Sequence, residues 1–122
     1  MPTNFISLAE AKTLTTTFRN AKDSILEPQF KDRGILPVCE TFPRDAFDIV
    51  LAKKGCVGLR IYFAMDPTNT VKLIVVGVND QDQDMIPAVS GGRVDTTVVG
   101  DDIIDQGRRC PFDCPPPSPL NS

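Results

Sequence analysis

No histidine occurs among the 122 residues, and that absence removes more chemistry than any other feature of the chain. Without imidazole there is no Ser-His or Cys-His nucleophile pair, no side chain that titrates unperturbed near neutral pH, and no zinc site that needs a ring nitrogen. Catalysis would have to run on Asp, Glu, Lys, Tyr or Cys, a smaller set of mechanisms. Long apolar runs are missing too. The longest, such as Leu73 to Val78, fall far below the ~20 residues that span a bilayer, so neither a transmembrane segment nor a membrane partner is expected. The opening Met1-Pro2-Thr3-Asn4-Phe5 has neither the positive region nor the apolar stretch of a secretory signal, which makes cytoplasmic residence the expectation. Basic residues are scarce in the second half, where seven aspartates between Asn79 and Gln106 face the single Arg93. With a net charge of −3 and a pI of about 4.8, no nucleic-acid partner is expected, because neutralising phosphates needs a basic face. Gly-x-Gly-x-x-Gly, Walker and Gly-x-Ser-x-Gly patterns are absent, so nucleotide binding and serine hydrolysis lack a motif; Gly91-Gly92 reads as a turn.

What is present describes one α+β domain, residues 1–107, followed by a Cys/Pro-rich tail, 108–122. Ser7-Leu8-Ala9-Glu10 has the capping-box form, and Leu8, Ala11, Leu14, Phe18, Ala21 and Ile25 recur at spacings of three and four. A helix from Ser7 to about residue 26, with that stripe inward, is predicted. Residues 27–42 read as a loop that dips into the core at Ile35, Leu36 and Val38. A second helix follows Pro43, with Asp45 and Asp48 early, Lys53-Lys54 late, Gly55 as a left-handed cap, and Ala46, Phe47, Val50 and Leu51 inside. Val57 to Ala64 alternates as a half-buried strand, Asp66 to Thr70 supplies a turn, and Val71 to Val78, apolar on both faces except at Lys72, reads as the inner strand of an antiparallel hairpin. Arg93 to Val99 is the next strand candidate, and Gly100 to Gly107 reads as a short strand or an acidic loop. The fold class is therefore two helices packed on a small, mainly antiparallel β-sheet with an extended Pro-rich tail. Burying both faces of Val71 to Val78 with so few strands raises a symmetric homodimer, through an edge or an open face, as a candidate assembly.

Four constellations bear on chemistry. Arg60 and Tyr62 share one face of their strand and would present a charge and a phenol to an anionic ligand or partner; the plainer readings are a solvent-side pair covering the sheet or an ion pair with an acidic loop. Asp80, Asp82 and Asp84 alternate like the start of a calcium loop, but Met85 stands where that loop needs glycine and Gly91 where it needs glutamate. Cys39 and Cys56 read as small buried hydrophobes. Cys110 and Cys114 would close a disulfide in an oxidising compartment or share a metal with the other two thiols, although four-thiolate zinc sites are usually built from Cys-x-x-Cys knuckles. No cofactor is called for, and Arg108-Arg109 reads as a solvated charge pair.

Gly55-Cys56-Val57-Gly58-Leu59-Arg60-Ile61-Tyr62, Leu73 to Val78, and Cys110-Pro111-Phe112-Asp113-Cys114 with its following prolines resemble small uncharacterised bacterial proteins that end in a Cys-Pro-rich tail. The resemblance implies that the Arg60-Ile61-Tyr62 strand and the tail belong to one design, and it brings no activity or catalytic residues with it. Five prolines between positions 111 and 119 stiffen the tail, which lowers the entropy lost on binding. The sequence thus points to a non-enzymatic soluble protein that contacts an unidentified protein partner or serves structurally. The alternative is a small-ligand binder or enzyme built on Arg60, Tyr62 and the loop aspartates.

Overall fold

The Ser7 hydroxyl accepts from the Glu10 N–H at 3.0 Å, satisfying one of the orphan donors that open any helix. From that cap α1 runs over Leu8–Ala21 in the computed structural model, which describes residues 4–87, 97 and 99–122. The threonines inside it are accommodated by back-bonding: Thr13, Thr15 and Thr17 donate to the carbonyls of Ala9, Ala11 and Thr13. The helix stops short of residue 26. Beyond Ala21 the reach tightens to three residues, with Ser24 N–H on the Ala21 carbonyl and Leu26 N–H on that of Asp23, while the Ser24 hydroxyl takes the Ala21 carbonyl at 2.7 Å.

A larger departure concerns which side of α1 faces inward. Leu8 and Leu14 are 63% and 64% exposed and Phe18 is exposed as well, whereas Ala11, Thr15, Arg19 and Lys22 are half-buried. At 100° per residue the covered face is turned roughly a quarter turn from the apolar stripe. On that covered face the Arg19 guanidinium donates to the Leu120 carbonyl, to Thr16 Oγ1 and to the Ser122 carbonyl.

After a single 3₁₀ turn, Pro28–Phe30, the loop reaches the buried Ile35, as expected. Gly34 adopts φ +67°, and a Cβ there would stand 2.8 Å from the Pro111 ring. β1, Cys39–Thr41, pairs with β6, Arg108–Cys110, as a two-stranded sheet, extended by Val38 N–H on the Cys110 carbonyl at 2.6 Å.

Helix α2 covers Arg44–Leu51 with Pro43 at its cap position and Gly55 beyond it at φ +88°. Val50 is 2% exposed, Ala46 and Phe47 pack beside it, and Phe47 stacks on Phe42 with ring centres 5.8 Å apart. Leu51, expected inside, is 45% exposed.

The larger sheet has four strands. β2 (Gly58–Met65) and β3 (Val71–Val78) are joined by a turn in which the Asp66 carboxylate collects the Thr68 N–H, the Thr68 hydroxyl and the Thr70 N–H. On the other side of β3 lie two short antiparallel partners. β4 (Asp84–Met85) pairs Gly77 with Met85 and Val78 with Asp84; β5 (Ile103–Ile104) pairs Val75 with Ile104 and Val76 with Ile103. β3 is therefore the inner strand its apolar sequence predicts, and Gly100 to Gly107 contains a short strand. The candidate strand Arg93 to Val99 lies outside the described residues except for Thr97, in a turn, and the exposed Val99.

The class is α+β, two helices with small antiparallel sheets, divided into two compact units. One comprises Met1–Glu40, Met65–Val71 and Arg108–Ser122; the other comprises Thr41–Ala64 and Lys72–Gly107. In the second unit Val50, Val75 and Ile104 form the centre, with Cys56 and Leu59 against it. Gly77 lies close beneath them, and a Cβ there would stand 3.0 Å from both Cys56 Sγ and Val50 Cγ1, so either side chain would have to give way. Among the described residues no helix is long and apolar enough to cross a membrane.

Candidate functional site

Alternation along β2 puts Arg60 and Tyr62 on one face, and the antiparallel return of β4 brings Asp84 beneath them. The intervening turn is self-organised. Asn79 Oδ1 accepts from Gln81 N–H at 3.0 Å and Gln83 N–H at 2.9 Å, and Asp82 takes a left-handed φ of +61° while its N–H bonds the Asn79 carbonyl. This geometry turns Asp82 toward β2. Arg60 then donates to Asp84 Oδ1 at 2.6 Å and to the Asp82 carboxylate, while the Tyr62 hydroxyl donates to Asp84 Oδ2.

Both oxygens of Asp84 are thus occupied, and the electrostatics follow. Hydrogen bonds from Tyr62 and then Arg60 hold the Asp84 carboxyl below its ordinary pKa. The same bond to Asp84 pushes the Tyr62 phenol up, because losing its proton would leave two anions facing each other. Asp84 also raises Arg60 further. Each group is driven deeper into the protonation state it already has at neutral pH, so none of the three exchanges a proton there. The cluster pins the Asn79–Gln83 turn to β2, which is the ion-pair reading of Arg60.

The two aspartates that contact Arg60 do not converge on a common point with Asp80, and among the described residues no three His, Cys, Asp or Glu side chains are grouped to hold a metal ion. Cys110 and Cys114 spend their sulfurs on each other as a disulfide, leaving Cys39 and Cys56 as half-buried free thiols. Cys56 behaves as the small hydrophobe expected, packed on the core with its S–H toward the Gly58 carbonyl at 3.3 Å.

Two lysines make further ion pairs that the sequence reading does not name. Lys53, just after α2, is forked between Asp101 at 2.6 Å and Asp102 at 3.0 Å, the bond to Asp101 raising the lysine and lowering that aspartate. Lys72 on β3 reaches Asp105 at 2.7 Å. The sequence signal existed: Lys72 is the only charge in an apolar strand, and three aspartates crowd the five positions from Asp101 to Asp105. An open hollow of about 590 Å³ is lined by Lys53, Asn79, Asp84, Met85, Ile86 and Asp102, and both of its charged ends are already paired.

The tail is built rather than loose. Residues 110–114 form a disulfide-closed loop, steadied by Asp113 N–H on the Arg109 carbonyl at 2.8 Å, and Phe112 at its tip is 93% exposed. Farther on, Asn121 closes a turn by accepting from Ser118 N–H at 2.9 Å and donating to the Pro116 carbonyl at 3.2 Å. Pro111 meets Gly34, and Arg19 holds Leu120 and Ser122. No family model, curated protein or solved structure matches the chain.

Proposed function

We propose that this chain is a non-enzymatic protein-interaction protein whose disulfide-closed loop inserts Phe112 into an apolar pocket of a partner. One observation carries the reading: an aromatic side chain, 93% exposed, at the tip of a loop whose base is tied on both sides. Aromatic anchors dominate binding energy at interfaces, and a loop already held in shape loses little entropy on association. A ligand site at Arg60 and Tyr62 draws less support, because the guanidinium and the phenol are already satisfied by Asp82 and Asp84.

The disulfide also bears on compartment. Persistence of Cys110–Cys114 calls for oxidising surroundings, whereas in the cytoplasm the same pair would stand as two thiols. The mass of protein alkylated before any reduction distinguishes the two states.

Native mass spectrometry of the full chain, followed by affinity capture with wild type and Phe112→Ala in parallel, tests the functional reading. An adduct-free mass and a binding partner lost on Phe112→Ala are expected. A retained small ligand, or identical capture by both proteins, overturns it.

A further inference from the structure

We infer that two copies of this chain associate through antiparallel pairing of β2 with β2, in a register centred on Tyr62. β2 ends the four-stranded sheet: β3 occupies one side of it, and among the described residues no strand pairs with the other. An edge of this kind leaves a row of unpaired N–H and C=O groups, which proteins usually blunt with lysine, proline or a very short strand. β2 has none of these. It is eight residues long, and its one charge, Arg60, is neutralised by Asp82 and Asp84.

The apolar face of the same strand is half covered. Leu59 packs on the core around Val50, but Ile61, Phe63 and Met65 are 52%, 82% and 60% exposed. Lengths explain the shortfall: the eight residues of α2 rise only about 12 Å, whereas eight strand residues extend roughly 26 Å.

Self-complementarity selects a second copy as the occupant. In a two-fold antiparallel pair whose axis stands perpendicular to the sheet, facing residues must share a side-chain face, so their numbers sum to an even value. Centring on Tyr62 sets Ile61 against Phe63 and Leu59 against Met65 of the second copy, apolar against apolar. Arg60 faces Ala64, which keeps the two arginine–aspartate clusters apart. Centring on Arg60 would oppose like charges. Eight residues a side is below the roughly 20–30 of a standard interface, which makes the association a weak, concentration-dependent one.

This pairing uses no residue of the Phe112 loop, so its failure leaves the partner-binding reading untouched. The test is sedimentation velocity of the full chain from about 5 to 500 µM, beside Phe63→Lys and Ile61→Lys, each first checked by circular dichroism. The expected result is a monomer–dimer equilibrium in wild type, weakened at least tenfold in both variants. Tyr62→Cys should then cross-link under mild oxidation where Phe63→Cys, two positions out of register with its own copy, does not. A wild type that stays monomeric at 500 µM overturns the proposal. So does a dimer that both lysine variants leave unchanged, or cross-linking through Phe63→Cys in preference to Tyr62→Cys.

Discussion

The two compact units reach order by different means. One is organised around Val50, Val75 and Ile104, with Val75 wholly buried and Gly77 kept small so that Val50 and Cys56 can close over it. The other has Ile35 as its only buried hydrophobic residue among those described, and relies on a disulfide, a proline set against a glycine, and an arginine holding carbonyl groups. Apolar burial supplies about 25 cal/mol per Å² wherever side chains meet, whereas cross-links and polar contacts act only at the positions they join. A unit of the second kind can therefore leave Leu8, Leu14 and Phe112 exposed and still be well defined.

That contrast is most open to test in the cores. Val75→Ala should cost about 2–3 kcal/mol, from two lost methyl groups and the cavity they leave, while Leu14→Ala should stay within about 0.5 kcal/mol. Urea denaturation of both decides; similar losses would mean that α1 buries its stripe after all. Next comes the cross-link. Replacing both Cys110 and Cys114 with serine should lower stability by about 2 kcal/mol on the chain-entropy account of so short a ring, and slow hydrogen exchange should persist at Val75 and Val76.

A pair of glycines gives a finer comparison. Gly34→Ala meets both a left-handed φ of +67° and the Pro111 ring at 2.8 Å, whereas Gly55→Ala, at φ +88°, meets open space. Conformational strain of about 1–2 kcal/mol is common to both, so Gly34→Ala should lower the melting temperature more. Equal shifts would show that Pro111 gives way freely.

The smallest effect is electrostatic. Asp84 is held below its ordinary pKa, so its contribution to stability is present above the unfolded value near pH 4 and is lost as pH falls through the folded one. Tyr62 is raised, so its share is present below about pH 10 and is lost as pH rises through the folded value. Asp84→Asn should flatten the acid side of a stability–pH series and weaken the alkaline fall. An unchanged profile would mean that the cluster is not formed in solution.

How much of this could be read from the sequence depends on the range of the interactions involved. The Ser7 cap, the second helix, the Asp66 turn and the inner position of Val71 to Val78 rest on neighbours a few residues apart, and they are found where the residues predict them. Arg60 and Tyr62 were visible as a pair, and the acidic loop as a partner, but not the convergence of both on Asp84, which depends on the β3–β4 return. The face that α1 turns inward was illegible, and the contact Arg19 makes from it, to Leu120, spans 101 positions. β4 has two residues, too short for any periodic pattern to show, and β5, equally short, left Gly100 to Gly107 open between a strand and an acidic loop.

The pairing of β1 with β6 also has a consequence in time. A ribosome adds roughly 5–20 residues per second, and the stretch from Cys39 to Cys110 is about 70 residues, so the first strand waits on the order of 4–14 seconds for its partner. The hairpin of β2 and β3 can close in microseconds once both its strands are free. The N-terminal third of this chain is therefore the first made and the last completed.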